Sequence, residues 1–162
     1  MIAGSLEPKG ADVAERPFIT LAQAQAAMSA MLKKAMEKPH RPVAMAIVDD
    51  TGILLAYQQM DGLRMFTRRH AIRKAYTAAI AGMNTSAFAE LMKSRNQTIR
   101  EIGGDLELTP GAGGVVVRLK RHEPKNHEDF HVNVMGGIGV GGYFTGKEDE
   151  ELATIGLNAM GL

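Results

Sequence analysis

The chain has 162 residues, 45% hydrophobic and 23% charged, values that place it among folded globular domains and exclude disordered, collagen-like and fibrous classes. Nineteen basic against eighteen acidic side chains give a formal charge of +1, too balanced for the basic field that nucleic-acid binding usually requires. The absence of cysteine removes disulfides and thiol chemistry and fits a reducing compartment.

The opening "MIAGSLEPKGADVAERP" has no apolar stretch of signal-peptide type, and no run reaches membrane-spanning length. A polar arm over 1–17, one domain over 18–162 and a cytoplasmic location are expected. Thr20-Leu-Ala-Gln23 is a capping box that starts a helix. Leu21, Ala24, Met28, Met31, Leu32, Ala35 and Met36 then form an apolar stripe, ended by Pro39 and Pro42. "VAMAIVD" over 43–49, the turn "DTG" and "ILLAYQQM" over 53–60 predict a β-hairpin.

From about Arg68, "RRHAIRKAYTAAIAGM" predicts a helix with no breaker before Gly82. Ala71, Ala75, Ala78, Ala79 and Gly82 share one narrow arc of it, which allows another backbone to approach closely. His70, Lys74, Thr77 and Ala81 form the adjacent strip. A short helix near 86–95, the long loop "GGDLELTPGAGG" and a strand at "VVVRL" over 115–119 follow. At the far end, Thr145-Gly-Lys-Glu148 is a second capping box, and Leu152, Ile155, Ala159 and Met160 give the last helix its buried side.

Two motif patterns overlap in "KNHEDFHVNVMGGIGVGG", residues 125–142. HEDFH fits the zinc-protease pattern H-E-x-x-H, which works only on a helix. Here Phe130 to Met135 alternates as a strand does, and residues four apart on a strand stand roughly 13 Å from each other. A loop could still fold His122, His127 and His131 around an ion. The glycine run fits G-x-G-x-x-G, but the chain leaves no room for the second parallel strand of a dinucleotide fold. What remains is a backbone property: Gly139, Gly141 and Gly142 let a ligand or a neighbouring helix come close to the main chain.

The run "VAMAIVDDTGILLAYQQMDG", the helix with "AIRKAYTA", the glycine-rich loop and "GGIGVGG…EDEELATIGL" together resemble the GlcG/HbpS-like haem-binding family over residues 20–160. This family is also seen as the C-terminal domain of PduO-type proteins. The resemblance implies an α/β (α+β) fold, a profilin-like sandwich with an antiparallel sheet of about five strands and helices on its faces, and homo-oligomeric assembly. By position it implies that the strip His70, Lys74 and Thr77 and the loop Gly139 to Gly142 border a cleft, within one chain or at a subunit interface. The sequence departs from the family in having no histidine over residues 20–38 and in the enlarged hairpin "LKRHEPKNHEDFH".

Three functional readings follow. The first is a binding protein for haem or another tetrapyrrole, with His70 or His131 on the iron and Lys74 or Arg73 meeting propionates, beside Thr77, Gly139, Gly141 and Gly142. The second is an enzyme for a small anionic catabolic metabolite, with His70 or His131 as general acid/base and Lys74, Arg69 or Arg73 holding a carboxylate. The third is a structural or interaction module whose charged strip is a solvated face.

Overall fold

The computed structural model describes residues 16–102, 105, 107–119 and 133–162. Most of the expected polar arm, and His122, His127 and His131 of the enlarged hairpin, lie outside the described residues.

Helix α1 spans Leu21–Ala35 and opens with the complete capping box: Thr20 Oγ1 accepts from the Gln23 N–H, and Gln23 Oε1 accepts from the Thr20 N–H. Its buried stripe runs through Ala24, Ala27, Met28, Met31 and Ala35. Leu21 and Met36, expected on that stripe, lie at the first helical position and the C-cap and are exposed. Strands β1 (Ala44–Asp49) and β2 (Leu54–Gln59) form the expected antiparallel hairpin. In its turn, Asp49 Oδ1 accepts from the N–H groups of Thr51 and Ile53, and Gly52 takes φ +85°.

Helix α2 spans Met65–Ala81 and ends on Gly82 in the left-handed region. Helix α3 covers Thr85–Ser94, β3 covers Gly114–Arg118, β4 covers Val134–Gly141 and α4 covers Gly146–Ala159. Gly139 and Gly141 therefore belong to a strand, where a loop was expected, and only Gly142 follows it. Thr145 caps α4 by accepting from the Glu148 N–H, and the Glu148 carboxylate in turn accepts from the Thr145 hydroxyl and from Arg41. Leu152 and Met160 of α4 are buried and Ile155 partly so, as expected, whereas Ala159 is exposed and Ala153 and Gly156 take its place.

Among the described residues the sheet has four strands in the order β2-β1-β4-β3, all antiparallel, against the five or so expected. Alternation sorts the side chains. Val43, Met45 and Ile47 of the first strand region, Ile138 and Val140 of β4, and Val115 and Val117 of β3 pack with α1 and α4. Ala44, Ala46 and Val48 face α2 instead. The result is a helix–sheet–helix sandwich of mixed α/β class, with the sheet as its middle layer.

The α2 layer is unusually close. A methyl group built on Gly139 would stand 2.0 Å from the Ala71 carbonyl oxygen, and one on Gly137 would stand 2.1 Å from that of Ala75. Glycines on the strand and alanines on the helix thus place main chain on main chain. We expect Gly139→Ala to destabilise the fold by about 3 kcal/mol or more through overpacking, read as a lowered urea midpoint. An unchanged midpoint would mean that α2 can move off the strand.

Candidate functional site

The helical strip expected to wall a site is presented by α2, and the structure shows what each member touches. Lys74 and Asp149, the latter in the first turns of α4, form a buried ion pair: Nζ lies 2.7 Å from Oδ2, and the side chains are 9% and 4% exposed. Asp149 Oδ1 also accepts from the Tyr143 N–H at 3.1 Å. Burial pushes the Asp149 carboxyl above its ordinary pKa, while the Lys74 ammonium and the Tyr143 N–H pull it down. Gly113 (φ +121°) passes directly over the pair, since a Cβ there would fall 2.7 Å from Asp149 Cβ and 2.8 Å from Lys74 Nζ.

Thr77 of the strip, with Arg73 and Tyr76 beside it on α2 and Thr85 of α3, holds the same glycine-rich segment. Thr77 Oγ1 donates to the Arg73 carbonyl and accepts from the Thr109 N–H at 2.9 Å. Arg73 donates from Nε to the Glu107 carbonyl and from Nη2 to the Leu108 carbonyl. Tyr76 donates its hydroxyl proton to Asp105 at 2.8 Å, and Thr85 Oγ1 accepts from the Gly114 N–H at 2.8 Å. Lys74, Arg73 and Thr77 are thus engaged with the chain itself. Within one chain no cleft separates the strip from the bare main chain, because Gly139 faces Ala71 and Ala75, and Gly141 faces Thr67, His70 and Ala71. Gly142, at φ +144°, lies against Pro42 and Val43.

His70 is different. It is half-buried near the start of α2, its ring edge-on to Phe66 with centroids 5.4 Å apart and planes at 83°. Burial, then the charges of Lys74 and Arg73, hold its pKa below the ordinary histidine value, so the imidazole is neutral at pH 7. Phe66 is 62% exposed, so the imidazole has an apolar neighbour on open surface. Arg69 is one residue away, with a loose 3.5 Å contact to Glu107. His131 lies outside the described residues. Among the described residues no group of three or more His, Asp or Glu could hold a metal ion, and no helix is long and apolar enough to cross a membrane.

Sequence reasoning missed Asp149 as the partner of Lys74, 75 positions away. One signal was present: Asp149 precedes Leu152 and Ala153 by three and four residues, so an acidic side chain stands on the buried stripe of α4 and requires a cation. Asp149→Asn leaves the buried ammonium uncompensated and is expected to cost about 3–5 kcal/mol in chemical denaturation, whereas Lys74→Met with Asp149→Leu together cost less than that. Equal losses in the single and double variants would show that the charges do not act as a pair.

The comparisons agree with this architecture. A sequence model of the family described as "Haem degrading protein HbpS-like" matches residues 19–158. No curated protein matches the sequence. Among solved structures, a double mutant of Streptomyces reticuli HbpS is similar at 28% identity and a TM-score of 0.76, with all of both chains covered. Klebsiella pneumoniae ORFY follows at 24% identity and 0.74, covering 93% of this chain and 96% of that one. The PduOC–haem complex matches at 17% identity and 0.71, covering 88% and 95%, a likeness of fold. With the family model spanning nearly the whole domain and the same sandwich in HbpS, this chain belongs to the HbpS-like family of haem-degrading proteins.

Proposed function

We propose that the protein binds a small ligand, haem or another tetrapyrrole, on the surface around His70. The observation that carries this reading is a neutral, half-buried imidazole edge-on to the exposed ring of Phe66, inside a chain of the HbpS-like family. A haem needs an imidazole nitrogen for its iron, apolar surface for its ring and cations for its propionates, and these residue types meet here. His70 would hold the iron, Phe66 the ring, and Arg69 a propionate, with the charge of Arg73 behind it. Lys74 is not free for that task, since Asp149 holds it. Haem, when bound, supplies a redox-active iron whose properties the axial imidazole tunes.

Haem titration of the wild type is expected to give a Soret band distinct from free haem, lost in His70→Ala. Only the neutral ring ligates iron, and the folded pKa is depressed. Affinity is therefore full above pH 6.5 and falls as the pH drops through that lowered value. A free-haem spectrum at stoichiometric haem, or full binding by His70→Ala, overturns the assignment. Nothing in the comparisons favours the carboxylate-metabolite enzyme, and the lysine it would use is paired internally.

The homo-oligomer belongs to the same proposal. Among the described residues strand β2 is a sheet edge without a charged residue, and Ile53, Leu54 and Leu55 are exposed on or beside it. An uncharged apolar edge invites pairing with a second copy. Native mass spectrometry is expected to report a multiple of 17.5 kDa, reduced towards the monomer by Leu55→Lys. A wild-type mass of a single chain removes this part of the reading.

A further inference from the structure

A second site lies on the opposite layer from His70. A cavity of about 130 Å³ opens between the C-terminal end of α1 and helix α4. It takes several waters or one small organic molecule and is too small for a tetrapyrrole. Its floor is apolar, from Leu152 and Ile155, and Tyr143 forms part of its wall.

The charges around it cancel in an informative way. Lys34 Nζ lies 2.7 Å from Glu37 Oε2 on the α1 side. Arg41 meets Glu148 with both terminal nitrogens, at 2.8 and 2.9 Å, while its guanidinium lies 4.9 Å from the Tyr143 ring centroid. Those two pairs are closed within the protein. Lys38, just beyond α1, and Glu151, on α4, also line the cavity, and neither side chain has a partner among the described residues. The Tyr143 hydroxyl likewise has no protein hydrogen bond there, and burial raises its pKa, so it remains a neutral phenol. One cation, one anion and one hydroxyl thus stand uncommitted around an apolar floor.

We infer that this cavity binds a small zwitterion of amino-acid type, its carboxylate on Lys38, its ammonium on Glu151 and its methylene groups on Leu152 and Ile155. The two open charges come from opposite walls, so a bare anion would satisfy Lys38 and be repelled by Glu151, and a bare cation would meet the reverse. A ligand carrying both signs satisfies both, and Tyr143 can donate to its carboxylate. Charge-assisted contacts of this kind are each worth roughly a tenfold change in affinity even when partly solvated.

The test uses the full chain, titrated by NMR with 4-aminobutyrate, β-alanine, acetate and methylammonium as probes. Saturable shifts at α1 and α4 amides are expected with the two zwitterions and at least tenfold weaker binding with either single-charge probe. Lys38→Gln and Glu151→Gln should each weaken 4-aminobutyrate about tenfold while leaving the thermal midpoint unchanged, since both side chains are exposed. His70→Ala should leave it intact, which separates this site from haem binding. Absence of saturable shifts, equal binding of acetate, or unchanged affinity in both variants overturns the inference.

Discussion

The molecule depends on how closely α2 lies against β4. Side chains normally hold a helix about 10 Å from a sheet, and here Gly137 and Gly139 opposite Ala71 and Ala75 remove most of that spacer. Main chain then touches main chain, and a small lateral shift of α2 would create a clash. The helix is fixed in rotation as well as position, which determines what every other face of it meets.

That fixed rotation explains the polar strip. Lys74, one residue before Ala75, is turned towards the end of the sheet where α4 begins, and Asp149 meets it there. Thr77, Arg73 and Tyr76 are brought beside Asp105 and residues 107–109 and add hydrogen bonds to those that these residues make among themselves. A buried ion pair contributes little net stability compared with apolar packing, but it admits only one partner geometry. In this fold the pair joins α2 to α4 across the edge of the sheet, beneath Gly113.

The polar residues with open valence lie elsewhere. His70 sits one turn from Phe66 near the start of α2, and burial, then the nearby charges of Lys74 and Arg73, hold its pKa down and its ring neutral. On the other layer, Lys38 and Glu151 face a cavity whose remaining charges are closed into pairs. The fold thus uses its best buried ions for construction and leaves uncommitted groups at the ends of elements, where solvent and ligands can reach them.

The sequence by itself determined the elements and most of their inner faces, because these rest on local chemistry: the Thr20 cap, the turn at Asp50-Thr51-Gly52 and the Gly82 stop are all decided within a few residues. The narrow arc of Ala71, Ala75 and Ala79 even announced a close backbone neighbour. The family resemblance supplied the sandwich. Which backbone came close, and that it was the glycine strand itself, was decided only by the tertiary structure, as was the capture of Lys74 by Asp149. Both join residues more than sixty positions apart, and the free energy of such a contact depends on burial and distance that no local pattern contains.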